Sequence, residues 1–229
     1  MDSPILFNGL SDLAGKDQVF LSQYGRGSTI KAPHATVHGA FEGIVDSHPH
    51  QIAATFQHER ITYRELDVAA NQLANYLIAS RLRPQQRVCL VAQRSIELLI
   101  GIFAVLKAGG QYVPIDGGVS SEVAMGHIFQ DTGAQFILCL PHLEEKVRRN
   151  ASRTTLVILL GKKSEALCSQ QRPDISVSPE DGAYAIYTSG KLCSIYCGLL
   201  SYTSRDYRQA KRCRCVSWQC YERTVVGAS

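Results

Sequence analysis

Leu106-Lys107-Ala108-Gly109-Gly110-Gln111-Tyr112-Val113-Pro114-Ile115-Asp116 joins two different periodicities. Upstream, Ile96 to Lys107 repeats apolar residues at helical spacing and is closed by Gly109, the residue type that most easily takes a left-handed helix end. Downstream, Gln111 to Pro114 reads as a short strand. The same alternation continues on either side. Strand Val88 to Ala92 precedes it; helix Glu122 to Asp131 closed by Gly133, strand Phe136 to Leu140, helix His142 to Arg149 and strand Leu156 to Leu160 follow. These strand runs lack polar alternation, as expected of strands covered on both faces, so the sheet should be parallel. Each connection is long enough for a right-handed crossover. The expected fold class is therefore α/β, an open, mostly parallel sheet with helices on both faces.

Nearer the N-terminus, residues 1–35 show no sustained period and read as an irregular lead-in. Val37, Phe41, Ile44 and Val45 recur at helical spacing and stop before His48-Pro49, which predicts a short amphipathic helix. Ile52 to Phe56 and Ile61 to Tyr63 are brief β-type runs. Thr62-Tyr63-Arg64-Glu65 has capping-box spacing and should start a helix with Leu66, Ala69, Ala70, Leu73 and Leu77 on its apolar face, ending near Arg83-Pro84. Residues 161–182 read as a surface connection before a last strand, Ala183 to Tyr187.

Composition sets the outer limits. With 229 residues, 45% of them apolar and 19% charged, the chain can bury a full core and is neither collagen-like nor wholly disordered. Its longest apolar run, Leu98 to Leu106, is about half of the ~20 residues a membrane-spanning helix needs. The first residues, Met1-Asp2-Ser3-Pro4, lack the basic start of a secretory signal, so a cytoplasmic location is expected.

The net charge of +4 is unevenly spread. Residues 191–229 hold Lys191, Arg205, Arg208, Lys211, Arg212, Arg214 and Arg223 against Asp206 and Glu222, together with Cys193, Cys197, Cys213, Cys215 and Cys220. These cysteines lack a Cys-x-x-Cys pair and the tail has no histidine, which argues against zinc. The basic and aromatic mixture with Tyr207, Trp218 and Tyr221 is too loosely organised to predict a nucleic-acid partner. An abrupt onset and lost periodicity fit a read-through or frame-shifted extension, expected to be disordered or aberrant. Elsewhere, His48-Pro49-His50 with Asp46 reads as a solvated turn, and Cys89 and Cys139 as reduced core residues.

Four segments, in order, resemble the adenylation domains of nonribosomal peptide synthetases, within the acyl-adenylate-forming superfamily. Ile61-Thr62-Tyr63-Arg64-Glu65-Leu66 is similar to that family's Thr-Tyr-x-Glu-Leu segment, and Leu106 to Asp116 to its Leu-Lys-Ala-Gly-x-x-Tyr-Val-Pro-Ile-Asp stretch. Asp131-Thr132-Gly133-Ala134 resembles its helix-to-strand turn, and Ala183-Tyr184-Ala185-Ile186-Tyr187-Thr188-Ser189-Gly190 the strand that enters its phosphate loop. The resemblance covers roughly residues 36–190 and implies the same α/β fold, as the N-terminal part of an adenylation domain.

The resemblance also implies a chemistry. In the family, hydroxyls and backbone amides of the loop surround ATP phosphates. Hydroxyls donate at any pH, and glycine lets the backbone approach. Thr188, Ser189 and Gly190 are the nucleotide-binding candidates carried over; no catalytic residue and no metal ligand are carried over. After Gly190 stands Lys191-Leu192-Cys193, without the family's second hydroxyl pair, second glycine or Pro-Lys-Gly. A Walker-type phosphate loop is excluded as well, because Ala185 and Leu192 stand where Gly and Ser/Thr are required. Gly117-Gly118 departs from the proline that relatives often carry.

For the intact family the resemblance implies ATP and Mg2+, a carboxylic or amino acid substrate, and a carrier domain whose phosphopantetheine thiol receives the acyl group. The expectation for this chain is a truncated adenylation domain, inactive alone and binding none of these cofactors. The alternative is a non-catalytic interaction module or pseudogene-like fragment. No membrane or nucleic-acid partner is expected, and self-association through an open sheet edge is.

Overall fold

The computed structural model describes residues 33–161 and 168–187, together with Gly15 and Val19. The chain divides into two compact units, Met1–Pro33 and His34–Ser229. In the first, Gly15 and Val19 have helical backbone.

The second unit opens with α1 (Val37–Ser47), then a hairpin of β1 (Ile52–Phe56) and β2 (Glu59–Thr62), antiparallel with Phe56 opposite Glu59. Next come α2 (Tyr63–Ala79), β3 (Arg87–Ala92), α3 (Ile96–Lys107), β4 (Gln111–Asp116), α4 (Glu122–Thr132), β5 (Phe136–Cys139), α5 (Glu144–Asn150) and β6 (Leu156–Leu159). Helix starts are chemically marked. Thr36, Thr62, Ser95 and Ser121 each accept an N–H of the first turn through their hydroxyls, satisfying donors that have no partner within the helix. At Thr62 the capping box is complete, because Glu65 accepts the Thr62 amide at 2.9 Å. Gly133, at φ 61°, ends α4 in the left-handed region.

The main sheet is parallel, in the order β4-β3-β5-β6. Register pairs Val88 with both Tyr112 and Phe136, and Phe136 with Leu156. From β3 the chain steps outward to β4, then returns across β3 to β5. Right-handed crossovers therefore place α3 on one face and α4 and α5 on the other. Helix α2 lies beside α3, and α5 beside α4. The core centres on Val88, Leu90, Val91, Val113, Ile137 and Leu138, all fully buried. Helix α3 comes close to the sheet at Gly101, where a Cβ would stand 2.8 Å from Leu90 Cδ1. A second, smaller cluster joins Phe41, Val45 and Leu66, with Phe41 stacked on Phe103 at 4.0 Å between ring centroids.

Three expectations change in detail. Phe41 and Val45 are the buried residues of α1, whereas Val37 and Ile44 face solvent. The run from His142 begins instead with a 3-10 turn, Pro141–Leu143, because proline suits a first helical position but cannot sit inside a helix. Ala183 to Tyr187 is not a full strand. It makes one parallel bridge, Tyr184 with Tyr112, in which the Tyr112 amide donates to Ala183 O and the Ala185 amide to Tyr112 O. The next β4 donor on that side would come from residue 114, and Pro114 has no N–H, so the ladder stops there.

Candidate functional site

The candidate site is the outer edge of β4, where Ala183 to Tyr187 carries the chain towards the three candidate residues. Thr188, Ser189 and Gly190 themselves lie outside the described residues, as does the tail from Lys191. Ala185 is buried in the core. Tyr184 packs beside Tyr112 with centroids 5.6 Å apart, and burial pushes the Tyr112 phenol above its ordinary range. The Tyr187 hydroxyl donates to Asp131 Oδ2 at 2.5 Å. Two of the four resembling segments thus meet through that bond, since Asp131 opens Asp131-Thr132-Gly133-Ala134. A third meets them through Tyr112.

The entrance to this edge is polar. Gly182 N donates to Gln85 Oε1 at 2.9 Å, and Gln111 Nε2 donates to the same oxygen at 2.8 Å. Before it, residues 168–177 run as a strap across α2. Asn71 Nδ2 donates to Gln170 O, and Asn75 Nδ2 to the carbonyls of Ser169 and Gln171.

Beneath the strap lies a charge cluster that periodicity did not reveal. Lys107 is buried and its Nζ pairs with Glu42 and, at 2.8 Å, with Asp67 Oδ1. That Asp67 contact is an ion pair, not a well-aligned hydrogen bond, so the oxygen is held by charge alone. Arg172 from the strap closes the cluster, pairing with Asp46 at 2.7 Å and approaching Glu42 and Asp67. Its hydrogen bonds hold the Asp46 carboxyl below the usual carboxylate range. Nearby, burial pulls His38 below its ordinary value. A signal existed: Asp67 and Asn71, four apart, interrupt the apolar face of α2. The cluster ties Lys107 of the Leu-Lys-Ala-Gly segment to Glu42 of α1 and Asp67 of α2. Its three carboxylates face two cations, Lys107 and Arg172, and this paired arrangement suits a structural role.

At the carboxyl ends of the strands, Lys146 Nζ donates to Gly117 O and Ser120 O, fixing the loop after β4. A Cβ on Gly117 would stand 2.2 Å from Leu143 Cδ1, and one on Gly118 2.3 Å from Gln93 Nε2. The first contact, against buried Leu143, explains glycine at 117, whereas the tip of exposed Gln93 can move aside. Among the described residues no group of three or more His, Cys, Asp or Glu could hold a metal ion, and no helix is long and apolar enough to cross a membrane. His48 and His50 are exposed, and Asp46 is engaged by Arg172. Cys89 and Cys139 are buried and not in disulfides; burial pushes Cys89 up to about 12, leaving it protonated and inert.

Comparison with known proteins agrees with this architecture. The sequence model of the AMP-binding enzymes matches residues 41–190. The chain belongs to the AMP-binding enzyme family. It is 37% identical over 187 residues to adenylate-forming reductase 06235 of Coprinopsis cinerea, covering 79% of this chain and 18% of that protein. It is 35% identical over 178 residues to tyrocidine synthase 3 of Brevibacillus parabrevis, covering 78% and 3%. Among solved structures, the N-terminal subdomain of Klebsiella oxytoca NpsA aligns with TM-score 0.57 and 28% identity, covering 68% of this chain and 39% of that one. The nonribosomal peptide synthetase FmoA3 aligns with TM-score 0.67 and 24% identity, covering 76% and 18%, a likeness of fold. The chain therefore spans under a fifth of the length of the two sequence relatives.

Proposed function

We propose that residues 36–190 are the N-terminal part of an adenylation domain whose Thr188-Ser189-Gly190 turn begins a binding site for ATP phosphates. The observation that carries this reading is the β4 edge. There Tyr112, Asp131 and Tyr187, each from a different segment resembling the family, converge on the chain that enters the turn. A nonribosomal peptide synthetase of the same fold has been solved in an AMPPNP-bound form, which supports a nucleotide as the ligand. An artificial fusion of NpsA with a carrier protein supports a carrier domain as partner.

In the whole domain the substrate carboxylate attacks the α-phosphorus of ATP, and pyrophosphate leaves with the electrons of the broken P–O bond. The product is an acyl-adenylate. A carrier phosphopantetheine thiol then attacks the acyl carbon and releases AMP. The reaction would run in the cytoplasm, in secondary metabolism, with Mg2+ beside the phosphates. This chain's donors do not fit the whole group: two hydroxyls and one glycine are followed by Lys191-Leu192-Cys193. Phosphoryl chemistry needs several convergent donors at once, so the chain alone is inactive, with residues 1–35 a lead-in and 191–229 an aberrant tail.

A chimera tests this. Residues 41–190 replace the corresponding stretch of a tyrocidine synthase 3 adenylation domain, and amino-acid-dependent pyrophosphate exchange is measured beside the native 229-residue chain. The expected result is exchange by the chimera and none by the chain. Exchange by the chain alone overturns its inactivity. A folded but inert chimera overturns the phosphate-turn reading.

A further inference from the structure

Pro114 poses a positional problem at the β4 edge. Among the described residues, the bridge joins the segment Ala183 to Tyr187 to β4 through two backbone hydrogen bonds at Tyr112, one with Ala183 and one with Ala185. A parallel segment held so briefly can shift along its neighbour, and a one-residue slip would turn buried Ala185 outward. The Tyr187 hydroxyl on Asp131 holds the far end of the segment, and its entry needs an anchor of its own.

The structure assigns that task to Gln85 and Gln111: we propose that their side chains form a clamp on Gly182 that positions Ala183 to Tyr187 against β4. The inference rests on the reading of Thr188 as the start of a phosphate turn, because that segment delivers the turn. Gln85 and Gln111 are positioning residues and touch no reacting atom.

Hydrogen-bond logic fixes the arrangement. The Gly182 amide can only donate, so Gln85 must present its carbonyl oxygen. The second lone pair of that oxygen receives the Gln111 NH2. Gln111 is itself buried, where an unpaired amide would be costly, so its donor holds Gln85 Oε1 in place. Gly182 must lack a side chain here, since a Cβ would lie 2.5 Å from Gln111 Nε2. Both glutamines are anchored to the amino end of the sheet. The Gln85 amide donates to Gly109 O at 2.7 Å, and the Gln111 amide to Gln86 O at 2.9 Å. The clamp thus refers the incoming chain to the β3 and β4 ends. One further sign marks Gln85. Its φ of 63° lies in the left-handed region, where a residue other than glycine carries strain. Glycine would serve that turn better, and the two hydrogen bonds to Gln85 Oε1 give the glutamine side chain a role there.

That strain makes a clean experiment possible. Gln85→Gly deletes the acceptor but relieves the backbone, which offsets part of the cost of the unpaired donors, so the whole 229-residue chain should keep its Tm to within a few degrees while the clamp is lost. Amide hydrogen exchange at Ala185, whose N–H donates to Tyr112 O, reads segment docking directly. We expect Gln85→Gly and Gln111→Leu each to speed that exchange by about fivefold to tenfold, the span one lost hydrogen bond supplies. Core amides such as Leu90 and Leu138 should exchange at the native rate. In a Pro114→Val background the ladder can continue, and Gln85→Gly should then change Ala185 exchange by less than about twofold. Unchanged Ala185 exchange in both single variants, at native Tm, overturns the clamp. So does acceleration spread equally over Leu90 and Leu138, which marks general destabilisation. The readout needs no nucleotide, so it stands apart from the chimera: an inert chimera with accelerated Ala185 exchange rejects the phosphate turn and keeps the clamp.

Discussion

Lys107 shows how one residue can carry two readings. In sequence it is the charge that ends an apolar run; in the fold it is buried between carboxylates of α1 and α2. Removing it leaves Asp67, whose side chain is only 9% exposed, with the Arg172 guanidinium at 3.6 Å as its remaining counter-charge. Lys107→Met should cost about 3–5 kcal/mol in urea denaturation, and adding Asp67→Leu should restore much of it. A single-variant cost below about 1 kcal/mol would show that the cluster is well solvated. Glu65 answers to pH instead. Its bonds to the Thr62 amide and hydroxyl hold its carboxyl below the ordinary carboxylate range, so the folded state binds a proton less readily than the unfolded one. The stabilisation is present above about pH 4.5 and fades as pH falls further. Asp46, held down by Arg172, follows the same sign. Comparing urea midpoints at pH 7 and pH 3.5, Thr62→Ala should narrow the gap; an unchanged gap would remove Glu65 from the account.

Among elements, what the sequence disclosed depended on whether a local rule met a tertiary partner. Helices α2 and α3 were legible to within a residue at their starts, because caps are written locally as Thr62 with Glu65 and as Ser95 before Ile96. The face of α1 was less so: Val37 shares the helical period of Phe41, but Phe103 and Leu66 lie only on the Phe41 side. The last strand was over-read for the reason found in Pro114, whose missing N–H matters only once β4 is known to face that segment. The Gly182–Gln85 bond of the clamp and the Lys107–Glu42 pair of the cluster join residues 97 and 65 positions apart, beyond any spacing rule. In the β4–α4 loop, Gly117→Ala should drive a methyl into Leu143 and cost about 1–3 kcal/mol in the same assay, with Leu143→Ala in the same chain recovering part of the clash term. A neutral Gly117→Ala would mean that Leu143 moves aside freely.

At the scale of the molecule, family membership was the most legible property, since four short segments in order carry it and the sequence model spans residues 41–190. The proposed nucleotide site is legible only as chemistry, because Thr188 to Gly190 fall outside the described residues. The sheet also suggests how copies of the chain meet. Among the described residues, β4 is paired on its outer side by one bridge, and Leu156 of β6 is 38% exposed at the other margin. Open strand margins recruit further strands. Oligomers should therefore appear on a sizing column as concentration rises; a monodisperse monomer throughout would refute edge pairing.

The proline in β4 has a last consequence. A segment joined to β4 by a single bridge, with side-chain bonds at Gly182 and Tyr187 beside it, can come away while the sheet stays whole, so this body has a built-in tear line. Gentle denaturant should open it there first, as an early phase of small m-value seen at Tyr184 and Tyr187, well before the collapse of the interior.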